Sequence, residues 1–205
     1  MIHPNTKLCF INDVIGYGVV ATTKIPKGTI VWCLDQLDQI IPPDRVQTMA
    51  PQYQDVLDKY AFRDKSGNFV LCWDNSRFIN HSFRPNCLPT PYDLELAVRD
   101  IMPGEELVDH YGALNLQTPF RALPEPGVRR RVVYPNDIVR HHRTWDRQLA
   151  EAFRCFDEVE QPLLPLIRGE FQATLAAIAA GRQPMDSCLQ TFCDYSDSRE
   201  ALPVN

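Results

Sequence analysis

Apolar and polar positions change their period more than once along this 205-residue chain. Residues 7–11, 14–21 and 29–33 alternate or run apolar, which predicts short strands. Ile25-Pro26-Lys27-Gly28 supplies the turn between the last two. From Asp44 the spacing moves to three and four: Val46, Met49, Tyr53, Val56, Leu57 and Tyr60 predict a small helical insert over 44–50 and 52–60, with Asp44 as candidate N-cap. Strands resume at 68–73, around Cys87, at 94–98 and at 107–108, the first entered through a Ser66-Gly67-Asn68 hairpin turn.

Beyond Gly112 the texture becomes that of a linker, with Pro119, Pro124 and Pro126. The tail is helical by periodicity. Thr144 is placed to cap a helix whose Trp145, Leu149, Phe153, Phe156 and Val159 share one stripe, ended by Pro162. A second helix is expected over 163–180, stopped by Gly181, and a short third one around Cys188, Leu189, Phe192 and Cys193.

Composition narrows the class without naming it. The length suits one ordinary domain with an appendage. A net charge of -5 argues against a nucleic-acid groove and fits an acidic surface that receives a basic polypeptide. Seven cysteines are an odd number without small-scaffold spacing, and MIHPNTKLCF lacks a basic-then-apolar leader, which predicts reduced thiols in the cytoplasm or nucleus. No apolar run approaches the ~20 residues of a membrane helix. The basic stretches at 129–131 and 140–143 read first as solvated surface, and second as contacts for an acidic partner or nucleic acid.

Three segments carry the candidate chemistry: GYGVVATTKIPKGTIV at 16–31, RFINHSFRPNC at 77–87 and PGEELVDHYG at 103–112. In this order they resemble the signature blocks of the SET-domain protein lysine methyltransferases, over residues 8–114. The resemblance implies a mainly β SET domain of the β-clip type over residues 1–116, with the helical insert at about 43–60. It also implies a knot-like crossing near the Asn-His strand; residues 117–205 form a linker and α-helical C-terminal extension. It implies S-adenosyl-L-methionine as methyl donor and a protein lysine as acceptor, with Gly16, Tyr17, Gly18, Asn80 and His81 holding the donor and Tyr111 orienting the lysine nitrogen. Tyr60, in KYAF, fits either a place near the methyl pocket or a core position at a helix end.

The chemistry such a site must perform is a direct displacement by a neutral amine. A lysine of ordinary pKa ~10.4 has to lose its proton and be held in line with the methyl group. A narrow, dry channel favours both.

Two departures from the family pattern matter. Asp109 stands where many relatives carry an aromatic lining the lysine pocket, and His110 beside it reads first as a hydrogen-bonded or surface histidine and second as a pH-sensitive neighbour. The Cys-x-Cys-x4-Cys zinc tail of some relatives is missing, which leaves Cys87, Cys155, Cys188 and Cys193 as an alternative zinc set or, first, as ordinary buried thiols. A SET module without catalysis that binds a peptide or partner is the competing reading.

Overall fold

The computed structural model describes residues 1–194. Its first hairpin pairs β1 (Thr6–Asn12) with β2 (Gly16–Ala21). Asn12 closes the turn by accepting from the N–H groups of Val14 and Ile15, and Gly16 takes φ +81°, a value that glycine adopts without a Cβ clash. β3 (Ile30–Cys33) follows, then β4 (Gln39–Ile41), which the sequence reading missed.

The helical insert is α1 (Pro43–Gln47) and α2 (Pro51–Tyr60). Asp44 is not its cap. Each helix instead opens with proline at its first position, where the missing N–H costs nothing and the ring pre-sets φ, and Asp44 lies in the first turn. β5 (Ala61–Arg63) and β6 (Phe69–Leu71) form the expected hairpin, with Asp64 accepting from the N–H groups of Ser66 and Asn68 and Gly67 at φ +79°. With β4 they make a sheet in the order β4-β6-β5.

β7 (Asn80–His81), β8 (Cys87–Pro89), β9 (Leu94–Ala97) and β10 (Val108–Asp109) build the centre. The sheet β3-β9-β8 is antiparallel and covered on both sides, which is why its strands read as nearly continuous apolar runs. On one side lie Val19, Ile25, Val31, Ile79, Cys87, Ala97, Ile101 and Leu107. On the other, Ile30, Leu88, Leu94 and Leu96 pack with Trp145, Leu149, Phe153, Leu163 and Leu175. The tail and the central sheet therefore share one core.

After the short pair β11 (Phe120–Arg121) and β12 (Val132–Val133) comes α3 (Asp137–Phe153), which starts at Asp137 and not at Thr144. The apolar stripe runs back to the buried Ile138, and the wholly buried Asp137 is held by the Tyr134 N–H and the Arg130 guanidinium. Arg130 belongs to this buried contact, so the basic stretch at 129–131 is not simply solvated. The expected second helix is divided: Pro165 sits in a 3-10 turn at Leu164–Leu166, and α4 (Gly169–Ala179) begins after it. Gly181 ends it with φ +67°, and Cys188–Thr191 form only a 3-10 turn. Among the described residues no helix is long and apolar enough to cross a membrane.

Candidate active site

Two segments distant in sequence meet in a parallel pair, Asn80 opposite Val108 and His81 opposite Asp109. The chain after β7 then folds back along β10. Ser82 N–H donates to the Asp109 carbonyl at 2.8 Å and Asn86 N–H to the Val108 carbonyl at 3.0 Å. The fully buried Asn86 side chain accepts from Val108 N–H and donates to the Glu106 carbonyl, both at 2.8 Å. β10 is thus clasped by residues 80–86, and the crossing expected near the Asn-His strand rests on these bonds.

The clasp fixes Tyr111. Its N–H donates to His81 Nδ1 at 3.3 Å and its hydroxyl to the Ile79 carbonyl at 3.0 Å. The ring lies against His81 and Phe120, with centroids at 5.4 and 5.3 Å. Burial, with the charges of Asp109 and Glu106, keeps the phenol protonated by raising its pKa. His110 is no pH sensor: it is buried, accepts from Gly112 N–H through Nδ1, and caps the turn that carries Tyr111. Burial, then the neighbouring His81 and Arg130, lower its pKa to about 3; burial likewise lowers that of His81 to about 4.

Asn80 ties the glycine strand to this centre. Its Nδ2 donates to the Tyr17 carbonyl at 3.0 Å and to Glu106 Oε1 at 2.6 Å. A Cβ on Gly18 would sit 2.9 Å from that amide nitrogen and collide with the Glu106 carboxylate, so glycine there permits the approach of Asn80. Gly16 has open space and is needed for its positive φ alone. Gly16, Tyr17, Gly18, Asn80 and His81 are therefore assembled in one place. Among the described residues nothing donates to the Asn80 side-chain oxygen, and Tyr17 and Phe120 keep 52% and 38% of their surface exposed. A free acceptor beside the Tyr17 backbone, with exposed aromatic rings on Tyr17 and Phe120, fits a ligand with an ammonium group and a purine, as S-adenosylmethionine has.

Tyr111 also lines a cavity of about 420 Å³. Tyr60, Asp109 and Tyr111 all line it, with Trp32, Phe62 and Ile79 as apolar walls. Tyr60 packs edge-on against Phe78 at 5.4 Å, so it is both a helix-end core contact and a channel residue. Glu95 also lines this cavity and was not found from sequence. Alternation in β9 reads Glu95 as solvent-facing; the hint against that was Ala97 on the same face, which is fully buried.

The apolar stripes of the tail lead one to expect Trp145, Phe153, Phe156 or Phe192 in a wall of the channel or directly behind it; none of the four lines the cavity. Trp145 stacks on His110 at 4.9 Å, behind Tyr111, while Phe153 and Phe156 are buried on the central sheet, where the stripe of α3 finds its apolar partner. Residues 114–118 provide the wall instead. The tail reaches a second cavity of about 250 Å³, where Arg168, Phe171 and Gln190 meet Phe62, Arg63 and Leu114. The four candidate zinc cysteines are not gathered: Cys87 and Cys188 lie in different cores, and no group of three or more His, Cys, Asp or Glu among the described residues is placed to hold a metal ion.

Comparison with known proteins agrees with this geometry. Residues 16–112 match the SET domain family, and the mainly β fold around a clasped Asn-His strand is that of a SET domain. The chain is 30% identical over 121 residues to the "Histone-lysine N-methyltransferase, H3 lysine-36 specific" of Schizosaccharomyces pombe; the match covers 51% of this chain and 15% of that protein's length. Residues 16–112, just under half of the chain, are thus similar to the SET domains of protein lysine methyltransferases.

Proposed function

We propose that this protein is an active S-adenosylmethionine-dependent protein lysine N-methyltransferase. The observation that carries the reading is the position of Tyr111, between the cavity that contains Tyr60 and Asp109 and the Asn80–Tyr17 junction. When bound, S-adenosylmethionine supplies an activated methyl group, whose carbon–sulfur bond breaks with its electron pair staying on sulfur. Asn80 would hold its amino-acid end through the free side-chain oxygen, and the exposed rings of Tyr17 and Phe120 would flank the purine. Tyr111, kept protonated, presents its hydroxyl at the inner end of the channel and orients the lysine nitrogen. Trp32, Phe62 and Ile79 exclude water, which disfavours the ammonium form of the incoming side chain.

The acceptor is a lysine of a basic protein in the cytoplasm or nucleus. Because the relative's name specifies histone H3 lysine 36, histone H3 is the first acceptor to test. Incubation with methyl-labelled S-adenosylmethionine and H3, alone and as nucleosomes, should label the histone on lysine; a set of other basic proteins defines the substrate if H3 is inert. No labelling of any of them, together with tight binding of a peptide, would instead establish a SET module that binds without catalysis.

A further inference from the structure

Two carboxyl groups occupy the cavity beside Tyr111. Glu95 projects from β9, opposite Trp32 in the sheet register, and Asp109 comes from β10, two residues before Tyr111. They are only 5% and 4% exposed, and both line the cavity. Trp32, Phe62 and Ile79 stand in the same lining as apolar walls. Glu95 Oε2 and Asp109 Oδ1 have no hydrogen-bond partner, and neither does the indole Nε1 of Trp32 in the same wall. Among the described residues no cation forms an ion pair with either carboxyl group.

Buried acids left unpaired cost stability, and a structural role would have supplied them with donors. A ligand bearing positive charge and several N–H groups supplies what both lack. Of the side chains a protein substrate can insert into a narrow channel, the lysine ammonium has that chemistry, with three donors on a thin apolar stem.

We propose that Glu95 and Asp109 form an anionic end wall of the channel that binds the substrate ammonium and accepts one of its protons before methyl transfer. The substrate class rests on the methyltransferase reading above. In the step, an N–H bond of the ammonium breaks and leaves its electron pair on nitrogen, while an O–H bond forms on the carboxylate pair. The neutral nitrogen is then the nucleophile, and the proton on the pair leaves to solvent after product release.

The acid–base match is favourable. Burial raises the Glu95 pKa to about 7, and burial with the adjacent Glu95 charge raises that of Asp109 well above the carboxylate range. Desolvation lowers that of an amine, so the gap to be crossed is far smaller than in water. Arg63, Lys59 and Arg77 also line the cavity, the Arg63 guanidinium being bonded to the Gly67 carbonyl and to Gln117. Asp58, at the same wall, adds to the attraction for a cation.

The test uses the full chain without S-adenosylmethionine, with n-butylammonium as probe and n-butanol as its neutral counterpart. The readout is the nuclear magnetic resonance signal of the Trp32 indole N–H, identified by Trp32→Phe. Butylammonium should bind about tenfold tighter at pH 8.5 than at pH 5.5 as the pair ionises, and n-butanol should show no such dependence. Glu95→Gln/Asp109→Asn, checked for folding by its melting curve, should lose the pH dependence. Each single variant keeps one carboxylate and should lie between. If the wild type binds butylammonium no better than n-butanol, or the double variant keeps the pH dependence, the end wall is refuted. Methyl transfer to a protein with pH-insensitive amine binding would refute the wall and leave the methyltransferase reading standing. pH-dependent amine binding with no transfer to any protein would do the reverse.

Discussion

Tyr111 has a structural bond in the fold and, in the proposed function, a role in the chemistry. Its hydroxyl bonds the Ile79 carbonyl, as an ordinary buried tyrosine would, yet the residue also lines the cavity. Tyr111→Phe removes a single hydroxyl and with it the hydrogen bond to the Ile79 carbonyl, worth about 1 kcal/mol. We expect a small drop in melting temperature, unchanged S-adenosylmethionine affinity by calorimetry, and about a 100-fold loss of turnover. Glu95 and Asp109 make a second residue-scale prediction. Their folded pKa values are raised, so the folded state holds protons that the unfolded chain has released. Stability must then fall as pH rises from the unfolded carboxyl values toward about 7, and level off above the folded values. The Glu95→Gln/Asp109→Asn variant should escape this loss and gain roughly 1–3 kcal/mol on the wild type between pH 5 and pH 8 in urea titrations. A parallel loss in both proteins would mean the carboxyls are not buried as acids. His81 and His110 act in the opposite sense. Held neutral in the fold, they cost stability as pH falls below their ordinary value toward about 4 and 3, and they do so equally in both proteins.

At the scale of elements, the site depends on the clasp of residues 80–86 around β10. Asn86 was visible in the sequence as part of the NHSFRPNC run, but nothing in a linear pattern says that its amide bridges Val108 and Glu106. Asn86→Ala leaves two buried backbone groups without partners and should destabilise by about 2–4 kcal/mol, seen as a lower denaturant midpoint. Methyl transfer should fall even where the variant is folded, because Tyr111 hangs from the same strand. Legibility followed the range of the interactions. Strands with local alternation, the Asp64–Asn68 turn and the insert were readable. The parallel pairing of β7 with β10 and the seven-residue shift in the start of α3 were not, because they are set by partners far along the chain. The glycines have local reasons that the pattern does not give: Gly18 makes room for Asn80, and Gly16 supplies a conformation. Glu95 was hidden because strand alternation cannot tell a solvent face from a cavity wall.

For the molecule as a whole, the tail is not a detachable arm. Trp145, Leu149, Phe153 and Leu175 fill one side of the central sheet with Ile30, Leu88 and Leu96. Removing the chain after Leu116 exposes that side, and each such core side chain is worth about 1.5–3 kcal/mol. The fragment should therefore fail to fold, giving a circular dichroism spectrum without a cooperative melt. Leu149→Ala, at a fully buried position, should cost about 2–5 kcal/mol while leaving the channel lining untouched. A cooperatively folded 1–116 fragment would show that the shared core is dispensable.

The central claim is that this SET domain transfers methyl groups at Tyr111. It is tested most directly by mass spectrometry of histone H3 and other basic proteins after incubation with S-adenosylmethionine and either the wild type or Tyr111→Phe. The account predicts a lysine gaining methyl mass with the wild type and almost none with Tyr111→Phe, although both bind S-adenosylmethionine alike. Equal methylation by the two proteins, or none by the wild type on any protein offered, would contradict it.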